Sequence, residues 1–271
     1  MSIKEAFDKS YSINNLTSAK LHHYLNIYDE LFIPYKNKSI KMLEIGINQG
    51  GSIEMWNLYF KNIKKFIGID IMNDCKKLEK KFNNLEIYIG NQEDNLFLQN
   101  VSRLVGDIDI LIDDGGHQFN QQINSFEKLF HNITEGGLYI IEDTHTSYDN
   151  YANYHPKDNV YGGGKNKSYT TIEYFKNLCD EVTAWAYYKK HGICPINKPH
   201  GTSWLDFKKK NNISKDKLDY LREYIYSITF YDSIIIIKKR KKTMPYIVFN
   251  NKDGGQYIGL SNERKLHINN S

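Results

Sequence analysis

The 271-residue chain is 40% hydrophobic and 25% charged, with a formal net charge of +4, a balance that suits one large soluble α/β domain. The basic residues are scattered, and the densest run, Lys238 to Lys242, follows a strong strand and reads as a solvated end, so no nucleic-acid partner is expected. Cys75, Cys179 and Cys194 are odd in number and far apart with no CxxC, so neither a disulfide framework nor a zinc site is suggested, and a reducing cytoplasm fits. No run has the length of a membrane span, and MSIKEAFDKS lacks the apolar core of a secretory signal, so a cytoplasmic location is expected.

Residues 1 to 38 read as helical and amphipathic, with Leu21, Tyr24, Leu25 and Tyr28 at helical spacing. Most of these read as packing. His22, His23 and Tyr24 as a lid over a ligand is the weaker alternative. The main domain is expected over 39 to 238. Ile40 to Ile47 reads as its first buried strand and runs into Asn48-Gln49-Gly50-Gly51-Ser52. A helix follows, with Ile53, Trp56 and Phe60 on one face. Strand, Gly-rich turn and helix open a nucleotide-binding βαβ unit, and the helix N-terminus suits an anionic group. The pattern is ExGxxxGG, from Glu44 and Gly46 to Gly50 and Gly51. It is neither GxGxxG nor a P-loop.

Lys65 to Ile71 is the second strand. Asp70 near its end is placed to take ribose hydroxyls, where the plain alternative is a surface carboxylate. A Lys-rich helix is expected over Lys76 to Phe82, then a third strand over Leu85 to Gly90. Gln92 and its neighbours suit an adenine edge, and Asp94 suits a helix N-cap.

The fourth strand, in Ile108 to His117 (IDILIDDGGH), ends in Asp113, Asp114 and His117. The fifth, in Gly137 to His145 (GLYIIEDTH), ends in Glu142, Asp143 and His145. Ligands collect beyond the carboxyl ends of parallel strands, so two such strands bring their acids to one rim. A helix is expected between them, over Phe119 to Phe130. Residues 144 to 170 lose periodicity and are rich in tyrosine, which suits an acceptor-binding loop. A helix is expected over Thr170 to Tyr188, an irregular insertion over 189 to 213, and a hairpin over Tyr226 to Lys238. In the tail, 239 to 271, Tyr246 to Phe249 suits an edge strand or a subunit contact in a homo-oligomer.

The five βα units, extra helix and hairpin resemble the class I S-adenosylmethionine-dependent methyltransferases. That implies a Rossmann-like, doubly wound, mostly parallel seven-stranded sheet ending in an antiparallel hairpin. LEIGINQGGS looks like the first motif of that superfamily. LIDDGGH followed by IIEDTH is similar to the metal-dependent macrolide sugar O-methyltransferases and related bacterial polysaccharide methyltransferases. The resemblance implies Asp114, Glu142 and Asp143 as ligands of Mg²⁺ or Mn²⁺ and His117 as general base. It implies Glu44, Gly46, Asp70 and the Gln92 region around S-adenosylmethionine; Gly50 and Ser52 of the Gly-rich turn are further candidates for that site, and Asp113 either meets the donor or caps the following helix. The expected activity is methylation of a sugar hydroxyl, on a polysaccharide precursor or sugar nucleotide, or alternatively on a macrolide-type natural product. His145 is the rival base. A non-haem iron hydroxylase using His117 and His145, an NAD reductase, and a non-catalytic nucleotide-binding protein are the competing classes.

Overall fold

The computed structural model describes residues 1–148, 163–186, 189 and 214–245, with the strand residues 247–248, 256–257 and 266–267. The chain divides into two compact units, Met1–Phe175 with Ser227–Arg240, and Lys176–Tyr226 with Lys241–Ser271. The central portion of the tyrosine-rich loop, almost all of the 189–213 insertion, and Tyr246 and Phe249 lie outside the described residues.

The first unit begins with two helices, α1 (Ile3–Asn14) and α2 (His22–Phe32). Ser2 and Glu5 form a reciprocal capping box on α1, which satisfies two otherwise orphaned N–H groups. Next come β1 (Ser39–Ile45), α3 (Gly51–Tyr59), β2 (Asn62–Asp70) and β3 (Leu85–Ile89). Helix α4 (Asn95–Val105) is capped by Asp94, whose side chain accepts from Leu96 and Phe97 N–H. The unit continues with β4 (Ile108–Asp113), α5 (Phe119–Leu129) and β5 (Ile133–Ile141). Helix α6 (Thr171–Thr183) precedes the hairpin of β6 (Ile225–Tyr231) and β7 (Ile234–Lys239).

The strands form one seven-stranded sheet in the order β3-β2-β1-β4-β5-β7-β6. The first five are parallel, and β7 runs antiparallel to β5. This is the expected doubly wound sheet with its terminal hairpin. Continuous apolar runs make it so, because strands covered on both faces cannot alternate with polar residues. Ile110, Leu111 and Ile112 in β4 and Tyr139, Ile140 and Ile141 in β5 are fully buried. Helices α1 and α2 pack together, and α1 packs on α3. Tyr28 and Phe32 of α2 meet Trp56 of α3 with ring centroids 5.3 and 5.6 Å apart. Each such pair adds about 0.5–1.5 kcal/mol beyond its buried area.

Three elements differ from the sequence reading. Residues Asn73–Lys80 form a 3-10 helix rather than an α-helix; its two buried residues, Cys75 and Leu78, are three apart, the 3-10 repeat. Strand β5 begins at Ile133, and Gly136 takes φ +82° inside it, so the expected turn is an irregularity within the strand. In the second unit, α7 (Lys215–Tyr224) has its N-cap at Ser214, with Leu218 and Leu221 buried. Residues 247–248, 256–257 and 266–267 form a separate three-stranded antiparallel sheet.

Candidate functional site

Strands β1 and β4 are neighbours, although β1 leads on to β2 and β4 arrives from β3. The sheet reverses its order there, and a crevice opens beyond the strand ends. Asp114 N–H donates to Ile45 O at 2.9 Å, and Gly46 N–H to Ile69 O at 2.8 Å, so the loops stay in register past the sheet. Gly46 has φ +84°, and a Cβ there would lie 2.0 Å from Asp114 O. Only glycine lets the two loops pass so closely.

A cavity of about 440 Å³ occupies the crevice; its lining includes Gly46, Asn48, Asp70, Gln92, Gly116 and Gln121 together with Asp114, His117 and Asp143. Asp70 is held by main chain. Its oxygens accept from Asn48 N–H and Met72 N–H, each at 2.9 Å, and each oxygen keeps a second lone pair. Gln92 Nε2 lies 2.8 and 3.0 Å from the Asp113 oxygens, and Gln92 Oε1 accepts from Gly116 N–H at 3.1 Å.

Glu44, Gly50, Ser52 and Asp113 do not line this cavity. Glu44 is fully buried behind it, accepting from Ser52 Oγ at 2.7 Å and Trp56 Nε1 at 3.4 Å. Burial pushes its carboxyl up to about 7. Gly50 faces Leu78. Asp113 is fully buried under Gln92, and burial raises it to about 7. Asn48, from the Gly-rich turn, also lines the cavity, as do Ala19 and Gln121; nothing local in the sequence marks the last two, since the fold alone brings them there.

At the rim the structure brings Asp114 and Asp143 together with His117, and leaves Glu142 out of the cluster. Asp114, His117 and Asp143 each offer a ligand atom, and these atoms lie within 4.8 Å of one another. His117 Nε2 is 3.4 Å from Asp143 Oδ2, and its buried Nδ1 has no hydrogen-bond partner among the described residues. His145 Nδ1 is 3.9 Å from Asp143 Oδ1, and its side chain is 52% exposed. His117 and Asp143 have φ of +59° and +54°, a left-handed conformation that non-glycine residues adopt rarely.

Glu142 is turned inward and is 1% exposed. Its partners come from the N-terminal segment. Lys20 Nζ lies 2.7 Å from Glu142 Oε1, 2.6 Å from Asp114 Oδ2 and 3.9 Å from Glu44 Oε1. Tyr28 O–H donates to Glu142 Oε1 at 2.5 Å, and Tyr24 O–H reaches Asp143 Oδ1 at 2.8 Å. Burial alone would lower the Lys20 pKa, but Asp114, Glu142 and Glu44 outweigh it and hold it well above the usual lysine value. Burial also raises the Glu142 carboxyl, against the pull of Lys20. The sequence reading had treated Tyr24 and Tyr28 as packing and had not considered Lys20.

No family model matches the chain. Mycinamicin VI 2''-O-methyltransferase of Micromonospora griseorubida is 36% identical over 135 residues, which cover 47% of this chain and 33% of that protein. The 8-demethyl-8-alpha-L-rhamnosyl tetracenomycin-C 2'-O-methyltransferase of Streptomyces olivaceus is 32% identical over 135 residues, 47% of this chain and 35% of that one. The matched stretch is thus about a third of each relative. Among solved structures, the MycE methyltransferase of the mycinamycin pathway, in complex with Mg, SAH and Mycinamycin VI, is 25% identical with a TM-score of 0.63; the match covers 89% of this chain and 55% of that one. The chain thus has the fold of the class I S-adenosylmethionine-dependent methyltransferases, and over about half its length it is similar to sugar O-methyltransferases of natural-product pathways.

Proposed function

We propose that the chain catalyses metal-dependent O-methylation of a sugar hydroxyl on a glycosylated small molecule, with S-adenosylmethionine as methyl donor. The observation that carries this reading is the contiguity of the Asp70 and Gln92 wall with the Asp114, His117 and Asp143 cluster in one cavity. A donor pocket that opens directly onto a metal-competent acid–base cluster is what transfer to a poor nucleophile requires. The relatives narrow the acceptor. Those named above act on sugar-bearing natural products, and none supports a polysaccharide precursor.

Asp70 would take the ribose hydroxyls through the second lone pair on each oxygen. We assign the metal to Asp114, Glu142 and Asp143, as the motifs imply. Two members of this set, Asp114 and Asp143, offer ligand atoms that converge with His117, and carboxylate oxygens suit Mg²⁺ or Mn²⁺; Glu142, buried against Lys20, would have to turn one oxygen toward them. A bound Mg²⁺ supplies Lewis-acid stabilisation of charge on the acceptor oxygen. His117 Nε2 faces the cluster and takes the hydroxyl proton, and Asp143 Oδ2 at 3.4 Å stabilises the resulting imidazolium. The cavity walls fix the approach of donor and acceptor, and alignment supplies much of the remaining acceleration. An iron site with two histidines is less favoured, because His145 is not part of the ligand cluster.

The reading is tested by calorimetric titration of S-adenosylhomocysteine with Mg²⁺ and then with EDTA, followed by a methylation screen. Binding in both conditions, and Mg²⁺-dependent methylation of glycosylated polyketides, is expected. Absence of S-adenosylhomocysteine binding in either condition would remove the methyltransferase reading.

A further inference from the structure

The three carboxylates assigned to the metal share a feature. Each has one oxygen engaged by a group from the N-terminal segment. Lys20 Nζ lies on Asp114 Oδ2 and Glu142 Oε1, Tyr28 O–H donates to that same Glu142 oxygen, and Tyr24 O–H reaches Asp143 Oδ1. Tyr24 also accepts from Asp143 N–H at 3.1 Å. Among the described residues, Asp114 Oδ1 and Glu142 Oε2 take no protein hydrogen bond. Tyr24 and Tyr28 stand one turn apart on α2, on one face, and Lys20 lies four residues ahead of Tyr24.

We propose that Lys20, with Tyr24 and Tyr28, positions the metal-binding carboxylates, fixing one oxygen of each and leaving the other to a divalent ion. The proposal rests on the metal assignment above. A carboxylate with one oxygen held has its plane set, and such outer partners commonly govern metal affinity. The Lys20 side chain is only 1% exposed. A surface ion pair of this kind forms and breaks freely, whereas a buried ammonium persists only when paired. The backbone carrying Lys20 is also anchored. Thr17 and Ser18 cross α3 so closely that a Cβ on Gly51 would lie 2.3 Å from Thr17 C. One residue further on, Ala19 lines the cavity.

Simple charge reasoning makes the opposite prediction. Removing a cation beside a divalent site strengthens that site by relieving repulsion. Positioning predicts weaker binding, so the sign of the effect decides. The experiment is a Mn²⁺ titration of the full chain by electron paramagnetic resonance, for wild type, Lys20→Met and Tyr24→Phe. S-adenosylhomocysteine affinity in EDTA is measured alongside. Lys20→Met is expected to weaken Mn²⁺ binding by about 10–100-fold, and Tyr24→Phe by about threefold to tenfold, with S-adenosylhomocysteine affinity unchanged. General damage to the fold would lower both affinities together. Tyr24→Phe removes a single hydroxyl and carries the test if Lys20→Met does not fold. Mn²⁺ bound by the variants as tightly as by wild type, or more tightly, overturns the proposal and leaves the methyltransferase reading intact. A wild type that binds S-adenosylhomocysteine but no Mn²⁺ overturns the proposal together with the metal assignment.

Discussion

The two walls of the cavity are built differently. On the Asp70 side, Asp70 is held by main chain, by Asn48 and Met72 N–H, and Gln92 by Gly116 N–H together with the side chains of Asp113 and Ser125. On the acid side, the carboxylates are held by side chains from far along the sequence, with Lys20 separated from Glu142 by 122 residues and Tyr24 from Asp143 by 119. The first wall follows from strand ends and turns. The second also starts from strand ends, but the N-terminal segment braces its carboxylates. A wall held by backbone tolerates changes in distant side chains, and a wall held by side chains does not.

That contrast gives three expectations, the largest first. On the acid side, His117→Ala should lower kcat by about 10²–10⁴-fold with S-adenosylhomocysteine affinity retained, measured by methyl transfer and calorimetry on the same preparation. Full turnover would place the base elsewhere, with His145 next in line. On the other wall, Asp70→Asn should weaken S-adenosylhomocysteine by about tenfold, the worth of one charge-assisted hydrogen bond, while Mn²⁺ affinity stays put. Loss of both would mean that the walls are coupled.

The third expectation concerns Asp113, buried between the walls and raised to about 7. Unfolded, it titrates near its ordinary value of about 3.9. Between these values the folded state holds a proton that the unfolded state has lost, so stability falls as pH rises. In EDTA, wild type should lose roughly 2 kcal/mol relative to Asp113→Asn between pH 5 and pH 8, read from denaturant midpoints. A difference that does not change with pH would show that Asp113 keeps an ordinary pKa in the fold.

The same contrast explains what was legible in the sequence. The apolar runs of β1, β4 and β5 announced a buried parallel sheet, and DDGGH and EDTH announced the acids, because strand ends and turns are local features. Helix α7 was also legible, since Ser214 caps it and Leu218 and Leu221 share a face, but its short polar sequence was passed over. Lys20 was not legible. In NNLTSAKLHH a lysine reads as solvated, and only partners 94 and 122 residues away make it a buried cation. Tyr24 and Tyr28 were correctly expected to be inside. Whether a buried hydroxyl meets a carboxylate depends on tertiary docking, which helical spacing does not encode.

Tyr24 carries a consequence for the order of events in folding. Its hydroxyl lies 2.8 Å from Asp143 Oδ1 and 3.0 Å from Ser233 O, and Ser233 O also accepts from Thr144 N–H at 3.0 Å. One phenol therefore ties together an early helix, the tip of β5 and the turn between β6 and β7. During synthesis Lys20 and Tyr24 emerge long before Asp143 and Ser233 exist. The full set of partners of that phenol is therefore complete only once the turn between β6 and β7 has been made.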